Sequence, residues 1–154
     1  MKIQRGFTLI ELIIVMSVIG SLLGLATINL SRSQQSASLN AIGQILLSDL
    51  KQQQLKAMLG DTEGRAVSDS YGIHFDSNKY VLFHGVYSDG EPSNSVINLD
   101  SNMQFNNPEY DVVFSRLSGE IPAATIVELQ DKNDSKLVRI HLNTLGTVTQ
   151  IELP

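Results

Sequence analysis

Three stretches of different hydrophobic period follow one another along the chain. From Phe7 to Leu30 apolar residues dominate, and Glu11 is the only charge in 24 residues. About 20 apolar residues cross a bilayer core as a helix, so this run is long enough with some tilt. Its 14 Phe, Leu, Ile and Val residues favour insertion by about −4 to −8 kcal/mol in total, against about +3 for one buried acid. Insertion wins despite Glu11. Beyond Leu30 no proline intervenes before Gly60, and Leu39, Ile42, Leu46, Leu50 and Ala57 recur with helical spacing, the stripe broken at Gln53. The pattern predicts one amphipathic helix continuing the apolar run, 53 residues from Phe7 to Leu59 and roughly 80 Å long. Gly60-Asp61 ends it, as a glycine after the last apolar turn commonly does.

After Gly60 the spacing changes to short apolar runs between turn residues, which predicts strands. Residues 71–75 and 79–84 flank Asp76-Ser77-Asn78 and form a predicted hairpin. Residues 96–99, 103–105 and 111–114 are shorter candidates, 124–129 and 137–142 bracket Asp131-Lys132-Asn133-Asp134-Ser135, and 147–153 follows a turn at Gly146. Gly85 to Ser95, with Asp89-Gly90-Glu91-Pro92, reads as the longest loop. The expected fold class is α+β: a long N-terminal helix, spanning the membrane in its first half, packed by its amphipathic second half on an antiparallel β-rich head.

Composition sharpens this picture. The 154 residues suit one modest domain with an appendage, and with no cysteine there is neither a disulfide framework nor a thiolate zinc site. A net charge of −5 offers no bulk attraction to nucleic acid or anionic lipid. Residues 61–154 hold 14 acidic side chains against 6 basic ones, a local net of −8. Lys2 and Arg5 precede the apolar run and Arg32 alone closely follows it, which places the N-terminus in the cytoplasm and the head outside. A secretory signal peptide needs a shorter apolar core, and Gly24-Leu25-Ala26 is a poor cleavage site. A plain anchor leaves Glu11 unexplained, because an acid within a membrane usually has a partner or a function.

The N-terminus, Met1-Lys2-Ile3-Gln4-Arg5-Gly6-Phe7-Thr8-Leu9-Ile10-Glu11, resembles the class III leader of type IV pilins and type II secretion pseudopilins. The resemblance implies that prepilin peptidase cuts between Gly6 and Phe7 and N-methylates Phe7. The domains would then be a leader at 1–6, a transmembrane helix at 7–30, an amphipathic helix at 31–60 and a head at 61–154. Glu11 lies four residues, about 6 Å of helix, from the new Phe7 amine. In a filament of staggered helices the carboxylate of one subunit meets the Phe7 amine of its neighbour and selects one axial register.

Within the head, Tyr71-Gly72-Ile73-His74-Phe75 followed by Tyr80, Val113-Phe114 before Ser118-Gly119, and Arg139-Ile140-His141-Leu142 before Gly146-Thr147-Val148 resemble the H-type minor pseudopilins and related minor type IV pilins. Two departures separate the chain from major pilins: its first proline is Pro92, not one within the membrane helix, and no C-terminal disulfide can form. The resemblance implies a non-enzymatic subunit of a periplasmic pseudopilus, held in the inner membrane before assembly. Its implied partners are prepilin peptidase, other pseudopilins or pilins, membrane lipid and, in a secretion machine, the secreted substrate. The competing reading is a minor pilin for pilus priming or for DNA uptake. A DNA-gripping head would need clustered Lys and Arg, whereas the six basic residues are scattered among acids.

No cofactor is expected. His74, His84 and His141 fall on separate strand candidates without metal-ligand spacing and read as structural. Asp131, Asn133 and Asp134 are weak calcium candidates, since the alternating-oxygen loop with its closing Glu is missing and a solvated turn explains them; Asp89 and Glu91 carry the same ambiguity. No Gly-x-Ser-x-Gly elbow, phosphate loop or His-Glu-x-x-His motif gives catalysis a foothold.

Overall fold

The computed structural model describes residues 8–153, apart from the side chains of residues 25–36. Helix α1 (Leu9–Leu59) is followed by β1 (Tyr71–Phe75), β2 (Lys79–His84), β3 (Ser95–Asn98), β4 (Met103–Phe105), β5 (Tyr110–Phe114), β6 (Thr125–Asp131), β7 (Leu137–Leu142) and β8 (Val148–Glu152). The chain divides into two compact units, Met1–Gln35 and Ser36–Pro154.

In the first unit the large apolar side chains from Leu9 to Leu23 are 47–78% exposed. Polar groups here turn inward on the helix itself. The Ser17 hydroxyl donates to the Ile13 carbonyl at 2.8 Å and the Ser21 hydroxyl to the Ser17 carbonyl, which satisfies them without solvent. Among the described residues no helix is long and apolar enough to cross a membrane; the expected span at 7–30 runs past Gly24 into residues whose side chains are not described.

In the second unit two four-stranded antiparallel sheets form, with orders β3-β2-β1-β5 and β4-β6-β7-β8. The predicted hairpin is present, pairing Ile73 with Leu82, and the strands on either side of Asp131-Lys132-Asn133-Asp134-Ser135 pair as a second one, Val127 with Ile140. Strand β6 runs two residues further than its apolar pattern, to Asp131, because that side chain is held inside the turn it opens. Leu39, Leu46, Leu50 and Ala57 are buried, and so is Gln53, with Ile42 half-buried at the margin. At Gly43 a Cβ would lie 3.1 Å from a Val138 methyl, so a small residue lets the helix approach β7 closely.

The helix stops through paired bonds from Gly60 N to the Ala57 carbonyl and from Asp61 N to the Lys56 carbonyl, with Gly60 at φ 64°. That is the left-handed glycine cap expected from Gly60-Asp61. Tyr71, Phe75, Tyr80 and Phe114 are almost fully buried against the helix stripe and both sheets. Each large apolar side chain contributes roughly 1.5–3 kcal/mol, against at most about 1 kcal/mol for a surface ion pair. The apolar seam, not the charges, therefore holds the head. Tyr80 adds a polar tie, its hydroxyl donating to Asp49 on α1 at 2.6 Å; burial pushes the phenol well above its usual range and keeps it a donor.

Candidate functional site

Gly6 and Phe7, the expected cleavage and methylation positions, lie outside the described residues. Glu11 is described, exposed and in the first turn of α1. Its backbone N–H donates to the Thr8 hydroxyl at 3.3 Å, and its carboxylate takes the Thr8 N–H at 3.5 Å. The two residues form a reciprocal cap that satisfies two N–H groups otherwise orphaned at a helix start. A negative side chain is also favoured there by the helix dipole. Glu11 is the only charged side chain from Thr8 to Gly24, so an apolar helix surface presents a single acid at one end.

The calcium candidates are used up in shaping a hairpin. Asp131 is 1% exposed; one carboxylate oxygen takes the Asn102 side-chain amide at 3.0 Å and the other the Asn133 N–H at 2.8 Å. Asp134 meets the Lys136 ammonium at 3.1 Å. Asn133 joins this turn through its backbone N–H. Asp89 and Glu91 are exposed within the loop that follows β2. Among the described residues no three His, Cys, Asp or Glu side chains gather as metal ligands would.

The three histidines stay on β1, β2 and β7, each with its own neighbour. His74 Nδ1 lies 2.6 Å from Asp111, its register partner on β5, and its ring stacks on Tyr87 at 3.9 Å. His84 meets Tyr71 edge to face, and His141 Nε2 lies 3.2 Å from Glu152. Phe83 lies over Gly72 and also meets Tyr87, so the loop after β2 folds back across the outer face of that sheet. Sequence patterns gave no sign of this packing, because Tyr87 stands alone in a turn-rich stretch.

On the outer face of the second sheet, Arg139 bridges Glu128 at 2.7 Å and Glu152 at 3.0 Å. The guanidinium holds both carboxyls below their usual range. Lys56, Arg65, Lys79 and Lys136 are likewise paired with carboxylates. Four of the six basic side chains of the head, and Lys56 on α1, are thus paired with carboxylates, which leaves little positive field for a phosphate backbone.

Residues 1–27 match the sequence model of the prokaryotic N-terminal methylation motif. Over those residues the N-terminus is similar to the methylated N-termini of type IV pilin-like proteins, which prepilin peptidase processes. The α+β arrangement of one N-terminal helix with antiparallel sheets is consistent with that class. No curated protein and no solved structure matches the chain.

Proposed function

We propose that this chain is a minor pseudopilin, a non-enzymatic structural subunit of the periplasmic pseudopilus of a type II protein secretion system. Residues 7–30 hold it in the inner membrane as a single pass until assembly, with the N-terminus cytoplasmic and the head periplasmic. Prepilin peptidase removes residues 1–6 and methylates Phe7. The observation that carries this reading is the methylation motif over residues 1–27, which opens a helix whose later turns supply Leu39, Leu46 and Leu50 to an antiparallel β core. Glu11 supports it further: one acid on an exposed apolar helix is costly in lipid and tolerable opposite a neighbour's amine. The engaged basic side chains of the head favour a filament subunit over a DNA-gripping one.

A clean chromosomal deletion tests the assignment. Loss of exoprotein secretion, restored by the intact gene, with piliation and DNA uptake unchanged, is the expected result. Normal secretion with lost DNA uptake or lost pili would assign the chain to the competing machine.

A further inference from the structure

The last turns of α1 carry apolar side chains that the head leaves uncovered. Leu55, Met58 and Leu59, with Leu117 and Leu145 from two turns of the head, are 48–73% exposed. They adjoin one another. Met58 lies over Gly119 and Leu117 over Gly60, while the Gln54 amide donates to the Leu145 carbonyl at 2.8 Å and to the Gly119 carbonyl at 3.2 Å. Single exposed apolar residues are ordinary, but a contiguous group of this size marks an interaction surface.

Leu117 adds an observation independent of exposure. Its φ is 66°, in the left-handed region that glycine or asparagine adopts at far lower cost than a branched side chain. Its N–H donates to the Ala57 carbonyl at 2.8 Å, which holds the turn against the helix end. Neither the backbone conformation nor local burial favours leucine here. Strain kept without a local gain points to a contact made with another molecule.

The charges around the patch select its occupant. Lys51 stands one turn before Leu55 on the same flank of α1, and Arg116 and Glu120 bracket the turn that presents Leu117. All three are exposed. Arg116 meets the Ser68 carbonyl at 3.2 Å, yet among the described residues none of the three forms an ion pair. A rim of one sign would call for a partner of the opposite sign. An apolar centre rimmed by unmatched charges of both signs is instead complementary to itself under a two-fold rotation, which sets Glu120 of each copy against Arg116 of the other. We infer that this surface joins two copies of the chain about a two-fold axis, with Leu117 in the apolar centre and Arg116 opposite Glu120 at the rim. The inference goes beyond the pseudopilin assignment and does not depend on it.

The chain has no cysteine, so single cysteines report the contact cleanly. In membranes holding the full chain, Ser118→Cys or Leu145→Cys treated with a short bismaleimide should give a product of two copies. Val96→Cys, exposed on β3 at the far edge of the first sheet from β5, should not. Added to the crosslinking variant, Arg116→Glu or Glu120→Arg sets like charges against each other and should cut the crosslinked fraction about tenfold. Coexpressed under different tags, these two charge variants should crosslink to each other at the original level, because each supplies the charge that the other lacks. Leu117→Gly relaxes the left-handed backbone, so it should keep or raise the unfolding midpoint while lowering crosslinking; Leu117→Asn serves the comparison if the glycine variant fails to fold. No two-copy product from either cysteine, an equal product from Val96→Cys, undiminished crosslinking of a charge variant alone, no recovery when the two are mixed, or an adduct with a different protein in place of the second copy would overturn the inference.

Discussion

Thr8 and Glu11 cap the start of α1 reciprocally, the Glu11 N–H on the Thr8 hydroxyl at 3.3 Å and the Thr8 N–H on the Glu11 carboxylate at 3.5 Å. The pair separates two roles that a single substitution would confuse. Glutamine can keep the cap but not the charge, whereas leucine keeps neither. Both Glu11→Gln and Glu11→Leu should leave membrane insertion and leader processing intact, since removing the acid eases insertion by about 3 kcal/mol. Both should impair crosslinking to neighbouring subunits in membranes, because one-sided loss of a buried charge pair costs on the order of 3–5 kcal/mol. Normal crosslinking of Glu11→Gln, with loss only in Glu11→Leu, would assign Glu11 to the cap and not to docking.

Gly72 and Phe83 are register partners on β1 and β2, and a Cβ on Gly72 would lie 2.6 Å from the Phe83 ring and 3.0 Å from the Val112 carbonyl. The ring can tilt, but the neighbouring backbone cannot move as freely. Gly72→Ala should therefore destabilise the head by about 1–3 kcal/mol, as overpacking does, and loosen the Tyr87 stack on His74. Denaturant unfolding measures the first effect and hydrogen exchange across residues 85–94 the second. An unchanged midpoint would show that Phe83 moves aside without cost.

Much of this architecture is legible in the hydrophobic spacing, and the exceptions have physical reasons. Leu39, Leu46, Leu50 and Ala57 recur with helical period and are buried, while Ile73, Phe75, Val127 and Leu129 alternate as one-sided strands do. The division of eight strands between two sheets is not legible, because it depends on distant pairings such as β1 with β5 and β4 with β6. Gln53 is visible only as a break in a stripe, since a lone polar residue does not announce that it is buried. The loop from Gly85 to Ser95 looks featureless until Tyr87 is seen against His74, which is thirteen residues away. Of the candidate functional residues, Glu11 stands out because charge is scarce around it; Asp131 is ambiguous because calcium loops and Asx turns use the same side chains.

Asp131 separates those two uses. With one carboxylate oxygen on Asn102 and the other on Asn133 N, Asp131→Ala should cost about 1–3 kcal/mol by leaving buried donors unsatisfied. Asp131→Asn, which keeps one acceptor, should cost less. Thermal unfolding of the wild-type chain with added calcium or with chelator should give the same midpoint in both. A midpoint that falls on chelation and returns with calcium would make the turn a metal site after all.

Intact-mass analysis of the full chain purified from membranes tests the prepilin reading most directly. The predicted mass lacks residues 1–6 and carries one methyl group on Phe7, with N-terminal fragments beginning at methylated Phe7. A chain retaining Met1 through Gly6 in cells with active prepilin peptidase, or a new terminus near Ala26, would contradict it.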